Sequence, residues 1–213
     1  MIRLLNKLQD ILDALRVIDF LGPLTLRPYL APVFWVAGVN KLTDFEYTIE
    51  RFGNPDRGFG LPMPELMAWL ATGTEIVGAV LLVIGLAVRW IAIPLLVIMV
   101  VAALVAHWEN GWQAVVNGSF PFASEHLGIF RFEDADGTLE RLSRAQEILK
   151  DYENYDWLAS EGGFVILNDG IEWTATYFVM VLVLFLIGAG RYTSIDYWIA
   201  RRFRRKDRNW NDL

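Results

Sequence analysis

The chain has 213 residues, no cysteine, two histidines and 54% hydrophobic residues, with a mean hydropathy of +0.34. That is more apolar than an ordinary soluble domain. The missing cysteine excludes disulfides, thiolate catalysis and iron–sulfur ligation by this chain, and two histidines are too few for a histidine-rich metal or haem site. The net charge of −6 is an average over segregated acidic and basic stretches.

Residues 1–21 begin MIRLLNKLQDILDALRVIDF. Leu4, Leu8, Ile11, Leu15 and Ile18 recur at helical spacing, with Arg3, Lys7, Asp10 and Asp13 between them. The pattern predicts an amphipathic helix lying on a membrane surface; packing on another protein element is the alternative. Asp10, Asp13 and Asp19 interrupt any apolar core, so this is not read as a signal peptide.

Residues 24–42 contain LTLRPYLAPVFWVAGVNK, a span weakened by Arg27, Pro28, Pro32, Asn40 and Lys41. Snorkelling of Arg27 and Lys41 would extend it at both ends; a re-entrant segment is the alternative. From Ile76 to Ala106 the only charge is Arg89. The run is too long for one crossing of about 20 residues, so it divides at Arg89 and Trp90 into spans at 65–86 and 90–107. A last span covers 173–190. Between the third and fourth lies a loop, 108–170, with twelve acids and four bases. Leu139, Leu142, Ala145, Leu149 and Tyr152 predict a helix within it. Trp108, Trp112, Phe120, Phe122, Trp157 and Phe164 make it a folded cap rather than a solvated linker. EDADGT (133–138) fails the calcium-loop pattern, since Phe132 and Ser143 would hold ligand positions, and reads as a turn.

Basic residues set the orientation. RRFRRKDR in the tail, 191–213, and Arg89 in the short turn belong in the cytoplasm. Four spans then place both termini inside and the acidic loop outside. The expected fold is all-α: an integral membrane four-helix bundle with an N-terminal amphipathic interfacial helix and a helical extracytoplasmic cap.

Glu75 falls about 15 Å into its span, near the midplane. Ala71, Gly78, Leu82 and Gly85 share its face, and small residues mark faces where membrane helices approach closely. A carboxylate at that depth costs a few kcal/mol unless it is protonated or paired. Asn40, Lys41, Glu75, His107 and Glu172 are therefore the candidate ligand-binding residues, gathered in the outer half of the bundle. A salt bridge that only fixes helix register is the alternative, as is a metal or proton site, with Glu109 a further metal-ligand candidate. No pair has metal-ligand spacing. Arg27 and Arg89, at the inner face, are expected to anchor lipid phosphate.

RPYLAPVFWVAGVNKL followed by GLPMPELMAWLATGTEIVGAVLLVIGLAVRW resembles the DoxX family of membrane proteins. The positions that carry the resemblance are Arg27, Gly38, Lys41, Gly60, Pro62, Glu75, Gly78, Gly85 and Arg89. The N-terminal helix, FGNPDRGFGLPMPEL, AHWENGW and the long acidic loop are most similar to the HvfX-like subgroup. That subgroup is encoded beside small copper-binding peptides (bufferins) and their multinuclear-iron modifying enzymes. The resemblance implies a four-helix bundle in the bacterial inner membrane and a setting of redox or metal stress. The family takes its name from a subunit of a thiosulfate:quinone oxidoreductase. The long outer loop departs from the minimal family pattern.

The expected role is an accessory membrane subunit whose polar pocket binds a small ligand, a quinone or a metal ion, or supports a partner oxidoreductase or a metal-binding peptide system. A catalytic quinone-linked subunit and a small proton-coupled transporter are the alternatives. No cofactor motif is complete, which favours the accessory role. Membrane lipid is an expected partner, nucleic acid is not, and a homo-oligomer is left open.

Overall fold

The computed structural model describes residues 6, 9–10, 12–116, 135–151, 155–160, 164–167 and 169–203. Leu4, Leu8 and Ile11 of the N-terminal stripe, Phe120, Phe122, Glu133, Asp134, Tyr152 and the end of the basic tail lie outside the described residues. In chain order the elements are α1 (Leu21–Thr43), α2 (Phe45–Gly53), α3 (Pro64–Ile84), α4 (Val88–Ala102), β1 (Val115–Val116), α5 (Ala135–Lys150), α6 (Tyr155–Leu158), β2 (Ile166–Leu167), α7 (Glu172–Ile187) and α8 (Ile195–Phe203). Among the described residues the protein is thus helical apart from one two-residue antiparallel pairing. The chain divides into two units, residues 1–98 with 177–213, and residues 99–176.

The helices bury one face each and turn apolar residues outward on the other. α3 buries Ala68, Thr72, Glu75, Gly78, Ala79 and Leu82, while Val77, Val80 and Val83 are exposed. α4 buries Val88, Ala92, Leu95 and Met99 at helical spacing and exposes Ile93 and Val97. α3 and the helical run Val88–Asn110 are each long and apolar enough to cross a membrane, and α7 is a shorter apolar helix.

α1 is one helix of 23 residues, about 34 Å long, and it packs along α3. It runs through Pro28 and Pro32, both exposed. Each proline removes one helical hydrogen bond, yet the helix continues. Gly38 makes the close approach to α3: a Cβ there would lie 2.7 Å from Ile76 Cγ1 and 3.2 Å from Glu75 Cβ.

α2 was not expected from the sequence. Its buried Thr48 and Phe52 lie on one face, with Glu46, Tyr47 and Glu50 exposed. The helix packs on α3, where the Phe45 ring meets Trp69 at 4.4 Å. The Thr48 hydroxyl bonds back to the Lys41 and Asp44 carbonyls at 3.1 and 3.0 Å, tying α2 to the end of α1.

The turn between α3 and α4 uses positive φ at Gly85 (68°) and Ala87 (52°). Arg27 reaches its carbonyl side: Nε donates to Leu82 O at 2.8 Å and Nη2 to Val83 O at 3.1 Å. Two further bonds run to Ala189 O at 2.7 Å and Thr193 O at 3.2 Å. Asp196 reaches the amide side, accepting from Ala87 N at 2.7 Å and Val88 N at 3.0 Å. A cation thus sits at the negative end of α3 and an anion at the positive end of α4, each complementing the helix dipole. Nearby, the Asp19 carboxylate accepts from Arg191 and holds that guanidinium above its ordinary range.

In the second unit, the two ends of the long loop are zipped together. Val115 pairs with Leu167 and Val116 with Ile166. Below them Asp169 N donates to Ala114 O, Gly170 N to Gln113 O, Ile171 N to Gly111 O and Glu172 N to Trp112 O, all at 2.9 to 3.1 Å. A Cβ at Gly170 would lie 2.3 Å from Gln113 O, so this contact needs glycine. The expected loop helix is present as α5 and begins at Ala135. The expected turn is corrected accordingly: Ala135–Thr138 lie in the first turn of α5, where no ion-binding geometry is needed to fold them.

Candidate functional site

Glu75 sits near the middle of α3, about 16 Å from its start, and is 3% exposed. Its partner is Lys41, in the last turn of α1. Lys41 Nζ donates to Glu75 Oε1 at 2.8 Å and to Oε2 at 2.7 Å, and approaches Ala37 O at 3.5 Å. The Gly38 contact sets this geometry by letting the backbones close just below the pair. The Lys41 side chain is 27% exposed against 4% for Glu75, so the pair is sealed on the glutamate side and open on the lysine side.

One turn before Glu75, Thr72 is 1% exposed. Its hydroxyl is buried without a hydrogen-bond partner among the described residues. The sequence reading passed over Thr72; its signal was a lone hydroxyl on the Glu75 face of an apolar helix. Asn40, one residue before Lys41, is exposed.

His107 and Glu172 belong to the second unit and are used there. His107 Nδ1 lies 2.7 Å from Asp169 O and 3.5 Å from Asp169 Oδ1. It ends a π-helical turn, Ala103–His107, that continues α4. Glu172 Oε2 accepts from Ala114 N at 3.1 Å. Both thus brace the zipped loop ends. Among the described residues no group of three or more His, Asp or Glu is placed to hold a metal ion.

The lipid-phosphate role expected of Arg27 is corrected. The residue is 3% exposed, and its donors are taken by four carbonyls, those of Leu82 and Val83 at the end of α3 and those of Ala189 and Thr193 between α7 and α8. A guanidinium with five fixed donors suits that task. Arg89 is exposed; its Nε donates to Phe185 O at 2.8 Å.

Apolar faces turned outward and charges paired inward define the class: a helical protein suited to an apolar solvent. Residues 22–108, from α1 to just past His107, match the family described as DoxX, whose members are membrane proteins. The chain is also similar to the "Putative oxidoreductase CatD" of Bacillus subtilis (strain 168), with 33% identity over 73 residues, 34% of this chain and 50% of that protein. It therefore spans about half the length of the curated relative it matches. No solved structure matches the chain.

Proposed function

We propose that this chain is a DoxX-like accessory subunit of the bacterial inner membrane, with both termini cytoplasmic and α1, α3, α4 and α7 as its four spans. The Lys41–Glu75 pair is its ligand site. A small polar molecule, a quinone head group first among them, binds beside the pair and is passed to or from a partner oxidoreductase. Redox or copper stress, of the kind met by metal-binding peptide systems, is the setting. The observation that carries this reading is an ion pair held within apolar helices and open on one side. Ionised groups at such depth are costly, and the cost is accepted mostly at functional sites. A metal ion is disfavoured at this spot, because the Lys41 ammonium already occupies both carboxylate oxygens.

A catalytic quinone-linked subunit is the second reading, supported by the naming of the Bacillus subtilis relative as an oxidoreductase. Titration of the purified protein in nanodiscs with decylubiquinone and decylubiquinol, followed by tryptophan fluorescence, tests the site. Saturable binding is expected, weakened about tenfold or more by Lys41→Met, equivalent to the loss of one charged hydrogen bond. Binding unchanged in Lys41→Met and in Glu75→Gln would overturn the assignment. Turnover of a quinol by the isolated chain would favour the catalytic reading.

A further inference from the structure

We propose that α8 is a lipid-binding element: it lies in the plane of the membrane surface and holds the phosphates of anionic phospholipids with Arg201 and Arg202. The proposal uses the membrane setting of the family and not the ligand reading of Lys41 and Glu75.

The first ground is depth, which Asp196 sets. Its carboxylate accepts from Ala87 N and Val88 N, and its own N–H donates to Gly85 O at 3.0 Å. The start of α8 is therefore bound to the turn between α3 and α4. α3 has 21 residues and is about 31 Å long, which matches a hydrocarbon thickness of about 30 Å. A turn at the end of such a helix lies at headgroup level. Trp90, 78% exposed, and the exposed Arg89 stand at the same end, and tryptophan is enriched at that level.

The second ground is the division of α8 into two faces. Asp196, Tyr197 and Ala200 are half-buried. Ile195, Trp198, Ile199 and Phe203 are exposed, and their helical spacing puts them on one stripe. A helix pointing straight away from the membrane would carry Phe203 about 12 Å into water. Lying flat, the helix puts the whole stripe into lipid, as amphipathic helices at membrane surfaces do.

The third ground is charge. Arg202 falls seven residues after Ile195, on the apolar stripe itself, and Arg201 lies beside it with its guanidinium 5.4 Å from the Trp198 ring. Both arginines are exposed, and among the described residues no carboxylate pairs with either. Arg204, Arg205, Lys206 and Arg208 follow in the sequence, against Asp207 alone. A cation on a lipid-facing stripe reaches up to the headgroups, and a guanidinium pairs with phosphate through two parallel hydrogen bonds. Basic residues clustered on an amphipathic helix attract anionic lipid. A second copy of this chain is a poor occupant, because a two-fold contact through the stripe would set arginine against arginine.

The full chain in nanodiscs tests this. It has no cysteine, so a single cysteine at Ile199 carries a fluorophore, with Phe203 as the second position if the first variant fails to fold. Lipids spin-labelled near the headgroup should quench this fluorophore more strongly than lipids labelled at the chain end. Spin-labelled phosphatidylglycerol should quench it at several-fold lower mole fraction than phosphatidylcholine with the same label. Arg201→Gln and Arg202→Gln should each weaken that preference about fivefold, and lysine at both positions should retain most of it. Equal quenching by the two lipids in the wild-type sequence would overturn the recognition of anionic lipid. No quenching by either lipid would overturn the proposal entirely and leave the stripe to a protein partner. None of these outcomes depends on decylubiquinone binding at Lys41, so the two readings fail separately.

Discussion

Among the described residues of the first unit two charged side chains are buried, Arg27 and Glu75, and each is met differently. Arg27 is met by carbonyls. Four of them, from Leu82, Val83, Ala189 and Thr193, take its protons at 2.7 to 3.2 Å. Lysine has the charge but only three donors on one atom, so it cannot serve carbonyls on two sides of the turn. Arg27→Lys is expected to lower stability by roughly 2–3 kcal/mol, the value of one or two charged hydrogen bonds. Thermal denaturation in detergent checks this, with Arg27→Ala lower still; an unshifted lysine variant would mean that the carbonyls find other donors. Glu75 is met by an opposite charge. Glu75→Leu leaves Lys41 uncompensated and should cost about 2–3 kcal/mol, below the usual figure for a fully enclosed pair, because Lys41 keeps 27% of its side chain in contact with solvent or lipid. Lys41→Met added to Glu75→Leu should recover most of that loss. A double variant no more stable than the single one would show that the partners are not coupled.

Helices differ in how plainly the sequence announces them. α3, α4 and α7 stand out because their apolar runs are dense, and their observed ends lie within five residues of those expected. α1 was weak by hydropathy because its two prolines, Arg27 and Lys41 lower the average, whereas the fold places the prolines on the exposed face, Arg27 among carbonyls and Lys41 on Glu75. α2 and α8 were missed for another reason. Each is nine residues long and amphipathic, so neither raises a hydropathy window, although Phe45, Thr48 and Phe52 are spaced by three and four. The need of Glu75 for a partner was legible, since a carboxylate deep in an apolar run is costly alone, and Lys41 was one of the candidates for it. The partnerless state of Thr72 was not, because it depends on a back-bond that fails to form. Gly38 links helix packing to the site. Gly38→Ala places a methyl group 2.7 Å from Ile76 Cγ1 and should cost about 1–3 kcal/mol by overpacking. Ile76→Ala in the same chain should relieve most of it. Melting temperatures of the single and double variants test this; no relief would show that the strain lies in the backbone.

For the molecule as a whole, topology is the first quantity to measure. The basic tail and Arg89 argue for cytoplasmic termini and an outer acidic loop. The chain has no cysteine of its own, so single cysteines at Ser160 and Arg208 report sidedness directly. An impermeant thiol reagent applied to intact spheroplasts should label position 160 and spare position 208; the opposite pattern would invert the orientation. The zipped loop ends carry a different consequence. Val116 faces Ile166 across one rung of a ladder, where paired residues lie about 5 Å apart. The chain therefore leaves and returns at a single point, and an Asn-Gly turn bridges such a gap in two residues. Replacing residues 117–165 with that turn should give a shorter protein whose remaining helices melt as in the parent, and a loss of cooperative melting would show that the excised stretch is needed for folding. In genetic terms the rung is a splice point. Nearly fifty codons can be gained, lost or exchanged there by one recombination event without changing the reading of any helix on either side, so the inserted segment can follow its own evolutionary history while the apolar helices keep theirs.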